Sequence, residues 1–234
     1  MNTYSYVKEN YLSLKDELSR IAEGVGTMPP TLVAVTKSGS DEELIALASA
    51  GASDIGENRP GELRRRGELL REAGFTPRLH EIGTLQRNKI KYIIDSVSLI
   101  HSVDSLKLAS DISRLAEARG ITVPVLIEIN SAEEEAKSGV MPSEAERLLN
   151  EILPLPAIRT VGIMTMGPVC ERPEDIRPYF RLTKKIFDDL HTRYGFGDSP
   201  TLSMGMTDSY RIAIEEGSTL VRVGRKLFYK REEI

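Results

Sequence analysis

The 234-residue chain has 35 acidic and 31 basic side chains, a formal net charge of −4, and 40% hydrophobic residues. That balance suits one α/β domain with a sizeable core and speaks against a nucleic-acid partner, which leaves a basic stripe. No apolar run reaches the roughly 18 residues of a membrane span, Met1 to Arg20 lacks the pattern of a signal peptide, and the single cysteine, Cys170, excludes an internal disulfide. The expectation is a cytoplasmic, monomeric protein.

In chain order, Val7, Tyr11, Leu14, Leu18 and Ile21 recur at helical spacing and predict a first helix over Tyr4 to Ala22. Thr31 to Thr36 is a β-branched strand. Ser40 to Glu43 reads as a capping box that opens a helix ending near Gly51. Short strands follow at Ser53 to Ile55, Leu79 to Ile82 and Leu99 to His101. Asp104 is the predicted cap of a helix with Leu108, Ile112, Leu115 and Ala116 on its apolar face. Val123 to Asn130 and Arg159 to Met164 are the fifth and sixth strands. A long helix then carries Tyr179, Leu182, Ile186, Phe187, Leu190 and Tyr194 and stops at Gly195. Thr201 to Met204 and Thr219 to Val223 complete eight strands.

Strict alternation of strand and helix requires parallel strands with crossover connections. Eight of them predict a (β/α)8 TIM barrel with an extra N-terminal helix, one domain over residues 1–234. An open doubly wound sheet is the alternative, but Lys37-Ser-Gly39 stands where its glycine-rich first turn belongs.

Barrels work at the C-terminal ends of their strands. Lys37 ends an apolar strand there. Partial desolvation would lower its pKa and make the amine a nucleophile for carbonyls; the other reading is a lysine that reaches from a strand end to water. Ser203-Met-Gly-Met206 and Arg222-Val-Gly224 are small-residue loops at strands seven and eight, where barrels bind phosphate. Thr207 and Asp208 would begin a helix whose positive end faces the same mouth. A lysine after strand one with a phosphate loop after strands seven and eight points to a phosphorylated carbonyl compound, either pyridoxal phosphate or a sugar-phosphate aldehyde.

Several ordered motifs carry a resemblance. Val33-Ala-Val-Thr-Lys37, Gly56-Glu-Asn58, His80-Glu-Ile-Gly83 with Leu85 to Lys89, and Ile100 to Asp104 resemble the YggS/PROSC family of pyridoxal phosphate homeostasis proteins. So do Val125 to Asn130 with Glu134 to Gly139, Leu202 to Met206, and Gly217 to Gly224. The resemblance runs in register from about Leu32 to Phe228. It implies a fold-type III barrel like the N-terminal domain of alanine racemase, with pyridoxal 5′-phosphate held as a Schiff base on Lys37. It places Arg222 toward the pyridine nitrogen, Asn58 near the ring, and Ser203, Met204, Gly205, Val223 and Gly224 at the phosphate. Lys37-Ser-Gly-Ser40 lacks the family's frequent proline, and Arg59-Pro-Gly61 replaces its usual Tyr-Val-Gln.

The resemblance implies cofactor buffering or delivery, with pyridoxal phosphate-dependent apo-enzymes as recipients. A racemase-like enzyme is the alternative, and a Schiff-base aldolase a third. An arginine at the pyridine nitrogen weakens the ring as an electron sink, and nothing in the sequence supplies the racemase's second domain and its tyrosine. Neither favours robust catalysis. Lys137 reads as a solvated charge beside Glu133-Glu-Glu135, His80 and His101 as hydrogen-bonded core histidines, and Arg64-Arg-Arg66 as a solvated helix face. Glu57 is a base or the partner of a neighbouring arginine. No metal site is expected.

Overall fold

A computed structural model describes residues 4–134 and 136–230. Glu135, part of the acidic run read beside Lys137, lies outside the described residues, as do residues 1–3 of the N-terminal segment.

The strands are β1 Thr31–Val35, β2 Asp54–Glu57, β3 Arg78–Glu81, β4 Leu99–Val103, β5 Val123–Ile129, β6 Ile158–Thr165, β7 Thr201–Ser203 and β8 Leu220–Val223. They pair in parallel, each with the next, and β8 pairs with β1 to close the barrel. The helices are α1 Ser5–Gly24, α2 Asp41–Ser49, α3 Pro60–Glu72, α4 Leu106–Glu117, α5 Ala145–Ile152, α6 Arg177–Tyr194 and α7 Tyr210–Glu215. A 3-10 turn over Arg87–Tyr92 replaces a full helix between β3 and β4.

The predicted helix over Tyr4 to Ala22 matches α1, which buries Val7, Tyr11, Leu14, Leu18 and Ile21. It packs between α7 and α2 and so fills the ring position left open after β8. The capping box forms at Ser40 and Glu43. Three expectations need correction. The cap of α4 is Ser105, whose hydroxyl accepts from Leu108 N, one residue beyond Asp104. On α6 the buried stripe is Phe180, Thr183, Phe187 and Leu190, with Tyr179, Leu182 and Ile186 at its margins. Thr207 and Asp208 lie in a turn, and α7 starts at Tyr210.

Most apolar side chains fill the layer between strands and helices. A smaller cluster of Val33, Leu99, Leu126, Val161, Met164 and Leu220 packs separately. His101 on β4 meets Ser203 on β7. Strands that far apart in a closed ring reach each other only across the interior, so polar groups share that space.

The register of β5 on β6 shifts between Val125 and Leu126, with Val125 opposite Thr160 and Leu126 opposite Gly162. Gly162 sits at φ +152°, and a Cβ there would lie 1.8 Å from Thr201 O. Only glycine allows β7 this approach. Gly162→Ala should destabilise the protein by about 2–4 kcal/mol, read as a lower urea midpoint with an unchanged m-value.

Candidate functional site

The segment after β1 is held from below. Thr36 N donates to Gly56 O (3.1 Å) and Gly39 N to Thr36 O (2.9 Å). The Arg66 guanidinium donates to Thr36 O and, at 2.8 Å, to Gly39 O. Arg66 is in turn paired with Glu57 at 3.1 Å, and both are buried. Lys37, at the crest of this clamped turn, is exposed. The expected partial desolvation of its amine is therefore absent: the side chain stands over an open cleft.

That cleft, of about 370 Å³, is lined by Lys37, Asn58, Ile82, Met166, Arg222 and Gly224 among others. Its size is that of a small-molecule site. Four residues singled out in the sequence thus come together although they lie on or just past β1, β2 and β8. Lys137 does not join them. It lines a neighbouring cleft of about 450 Å³ that shares Met166, and its amine pairs with Glu134 at 2.7 Å.

Arg222 is buried, and its guanidinium donates to Ser203 O (3.0 Å), Ser203 Oγ and Thr165 O (3.0 Å). Burial pushes its pKa down to about 10, with Glu128 opposing the shift, so it stays a cation at neutral pH. The Ser203 hydroxyl is turned inward to His101 and Arg222, away from the mouth. Met204 and Val223 are fully buried, which leaves their backbones as the parts able to meet a ligand.

The cradle at the ends of β7 and β8 is backbone. Gly205 has φ +94°, and a Cβ there would meet Ala213 Cβ at 2.5 Å; one on Gly224 would meet Val35 O at 2.9 Å. Among the described residues the N–H groups of Gly205 and Gly224 have no protein acceptor. Two free N–H groups on side-chain-free backbone, beside a lysine and an arginine, fit an anionic carbonyl compound. The six-residue α7 does not contribute as a dipole, since Met206 O caps its first N–H and Ser209 Oγ takes the Met206 N–H.

Two residues escaped the sequence reading. Arg66 is buried, not part of a solvated face. Its signal was its place on the stripe Leu63, Arg66, Gly67 and Leu70, the face α3 buries. Glu81 is fully buried, one of its oxygens accepts from Gly83 N at 3.3 Å, and the other has no partner. Burial raises its pKa to about 8, with Glu57 adding to the shift. Glu57 itself is pushed up by burial, against the pull of Thr36 and Arg66. His80 and His101 are hydrogen-bonded core histidines.

The family described as alanine racemase, N-terminal domain, matches residues 10–231. A pyridoxal phosphate homeostasis protein of Aquifex aeolicus is 38% identical, covering 93% of this chain and 98% of the relative. One of Escherichia coli is 33% identical over 97% of both chains. The chain belongs to the pyridoxal phosphate homeostasis protein family. Among solved structures, PipY of Synechococcus elongatus with pyridoxal phosphate bound superposes with a TM-score of 0.82 at 25% identity, covering 95% of this chain and all of PipY.

For this family member two predictions follow from the buried charges. Arg66→Met leaves Glu57 buried without its cation and frees the Lys37 turn; it should cost about 3–5 kcal/mol in chemical unfolding, and adding Glu57→Gln should recover part of the loss. Glu81 keeps its proton in the fold up to about pH 8, whereas the unfolded chain releases it near its ordinary 4.5. Its contribution is therefore complete below that ordinary value and is lost as pH rises through about 8, with a slope of at most about 1.4 kcal/mol per pH unit. Glu81→Gln should flatten the pH dependence of stability over this window and exceed wild type at its alkaline end.

Proposed function

We propose that this protein binds pyridoxal 5′-phosphate in the cleft at Lys37 and serves in its homeostasis, as a cytoplasmic monomer formed by one barrel domain over residues 1–234. The observation that carries the reading is the meeting of Lys37, Asn58, Arg222 and Gly224 in one cleft of cofactor size. The names of the relatives and the cofactor bound in PipY support it.

Lys37 supplies the amine that captures the cofactor aldehyde with loss of one water, a reversible bond suited to holding and releasing. Asn58 stands beside the ring. The Gly205 and Gly224 N–H groups take the phosphate, with the backbones of Ser203, Met204 and Val223 around it. Arg222 faces the pyridine nitrogen. Guanidinium only donates, so a nitrogen facing it accepts and stays unprotonated. When bound, the cofactor supplies an electron sink for amino-acid chemistry, and that sink is weakened here.

The cleft lining also favours holding over turnover. Among the described residues that line it, Asp208 is the one carboxylate, and it is paired with Arg225. General acid–base work on an α-proton needs a free, positioned group opposite the lysine. The protein then buffers the cofactor and passes it to apo-enzymes that depend on it.

The purified holo protein should be yellow and lose that absorbance in Lys37→Ala, and borohydride reduction should fix the adduct on Lys37. An adduct mainly on Lys137 would sink the assignment. Pyridoxal without phosphate should bind far more weakly, and equal affinity would remove the backbone cradle. A panel of amino acids should show negligible racemisation and transamination; kcat on the order of 1 s⁻¹ or more, abolished by Lys37→Ala, would make the protein an enzyme.

A further inference from the structure

Across the barrel interior, polar groups from five strands form a line. Asp54 begins β2 at the end of the barrel away from Lys37. Its buried carboxylate accepts from Ser53 Oγ (2.7 Å) and Arg78 (2.7 Å) and lies 2.9 Å from His80 Nε2. His80 Nδ1 is 3.0 Å from His101 Nε2. His101 Nδ1 is 3.0 Å from Ser203 Oγ. Ser203 Oγ accepts from Arg222. All five residues of the line are buried.

Donor and acceptor bookkeeping gives the line a direction. Asp54 is an anion, held down to about 2 by His80, Arg78 and Ser53 against the opposing cost of burial. A carboxylate only accepts, so His80 presents Nε2–H to it. At the other end Ser203 Oγ already accepts from Arg222, and His101 Nδ1 is the acceptor within reach of its hydroxyl proton, so His101 carries its own proton on Nε2 and donates it to His80 Nδ1. Burial holds His101 well below its ordinary pKa, and the charge of Arg222 pushes it the same way. It is neutral, so its Nδ1 accepts the Ser203 hydroxyl proton. The remaining lone pair of Ser203 takes the Arg222 N–H. Every proton points away from the mouth toward Asp54. The reverse order would set His101 and Arg222 both donating to Ser203 Oγ and leave the hydroxyl hydrogen without an acceptor among the described contacts.

Arg222 needs such support. Among the described residues its hydrogen bonds go to neutral oxygens, Ser203 O, Ser203 Oγ and Thr165 O. Groups facing the line from other strands are Thr165 on β6 and Glu128 on β5, whose charge acts on Arg222 and whose own carboxyl is bonded by Ser138 at 2.8 Å.

We propose that Asp54, His80, His101 and Ser203 are positioning residues for Arg222: one carboxylate at the end of the barrel away from Lys37, two imidazoles of fixed tautomer and one hydroxyl set the orientation of the guanidinium at the cofactor ring. The link to the ring rests on the reading of Arg222 given above; the tautomers do not. The line polarises as a unit, because each donor strengthens the next, and it carries the influence of a charge at one end of the barrel to a cation at the other.

The chain has three histidines, so nitrogen-15 NMR of the imidazoles in cofactor-free protein reads the line directly. At neutral pH His80 and His101 should both carry the proton on Nε2, and His101 should keep that form on acidification to about pH 5. Asp54→Asn retains an accepting oxygen and loses the charge. It should shift the His101 nitrogens, although Asp54 does not touch that ring. In the holo protein, Asp54→Asn and Ser203→Ala should each weaken pyridoxal phosphate about 2- to 30-fold and shift the bound absorbance spectrum, with Ser203→Thr restoring both. Pyridoxal should weaken by the same factor, since the effect runs through the ring and not the phosphate. An Nδ1–H tautomer on His101, or wild-type NMR shifts, spectra and affinities in both variants, would overturn the proposal. If wild-type protein fails to bind the cofactor through Lys37, the cofactor reading falls, and the cofactor-free NMR still decides the line.

Discussion

The site depends on the pairing of the last strand with the first. Thr31 lies opposite Leu220 and Ala34 opposite Val223. That register sets Lys37, just past β1, beside Gly224, just past β8, and turns Arg222 into the interior. Strand side chains alternate with a period of two, so a slip of one residue would send Arg222 outward and Val221 inward. The seam is covered by α1. Tyr11, Leu14 and Leu18 are buried there, each contributing about 1.5–3 kcal/mol by burial. Tyr210 and Lys226 both bond Glu17, and Asn10 donates to the carbonyls of Leu227 and Tyr229. The N-terminal helix is thus part of what keeps the mouth closed on itself, far as it lies from the cleft in sequence.

The interior and its rim hold more charge than stability alone would select. Asp54, Glu57, Arg66, Glu81, Glu128 and Arg222 are all buried. Such groups tend to be matched or surpassed by apolar replacements of similar volume, so they are poor evidence of stabilisation. Their placement has a common geometry instead. Arg66 with Glu57 braces the turn that bears Lys37, and Arg222 with Ser203 and Thr165 braces the opposite wall. Both walls are hydrogen-bonded and buried, while the lysine between them is exposed.

The places where the chain departs from the family pattern are absorbed locally. Gly39 lies under the Phe228 ring, and a Cβ there would stand 2.7 Å from it. A bulkier residue would push apart the turn and the segment after β8. Pro60 takes the first position of α3, where its missing N–H has no intrahelical partner in any case. Neither change displaces Lys37 or Asn58 from the cleft.

Much of this was determined by the sequence alone. Short apolar runs alternating with amphipathic helical stretches imply parallel strands, because parallel strands demand crossovers, and eight such runs point to a barrel over an open sheet. The stripe of α1 and the capping box at Ser40 were legible because they are local patterns of three to four residues. Lys37, Asn58, Arg222 and Gly224 were legible as ends of strands, since in a barrel all such ends share one mouth. What the tertiary structure decided is how side chains meet across the fold. Arg66 sits in a run of three arginines that reads as solvated, and only the packing of α3 over β2 buries it beside Glu57. That Lys37 is exposed was likewise decided by the fold. The inward turn of the Ser203 hydroxyl and the line from Asp54 to Arg222 join residues up to 102 positions apart in single contacts. No sequence period encodes such a contact, because it exists only once the barrel has closed and its interior excludes water.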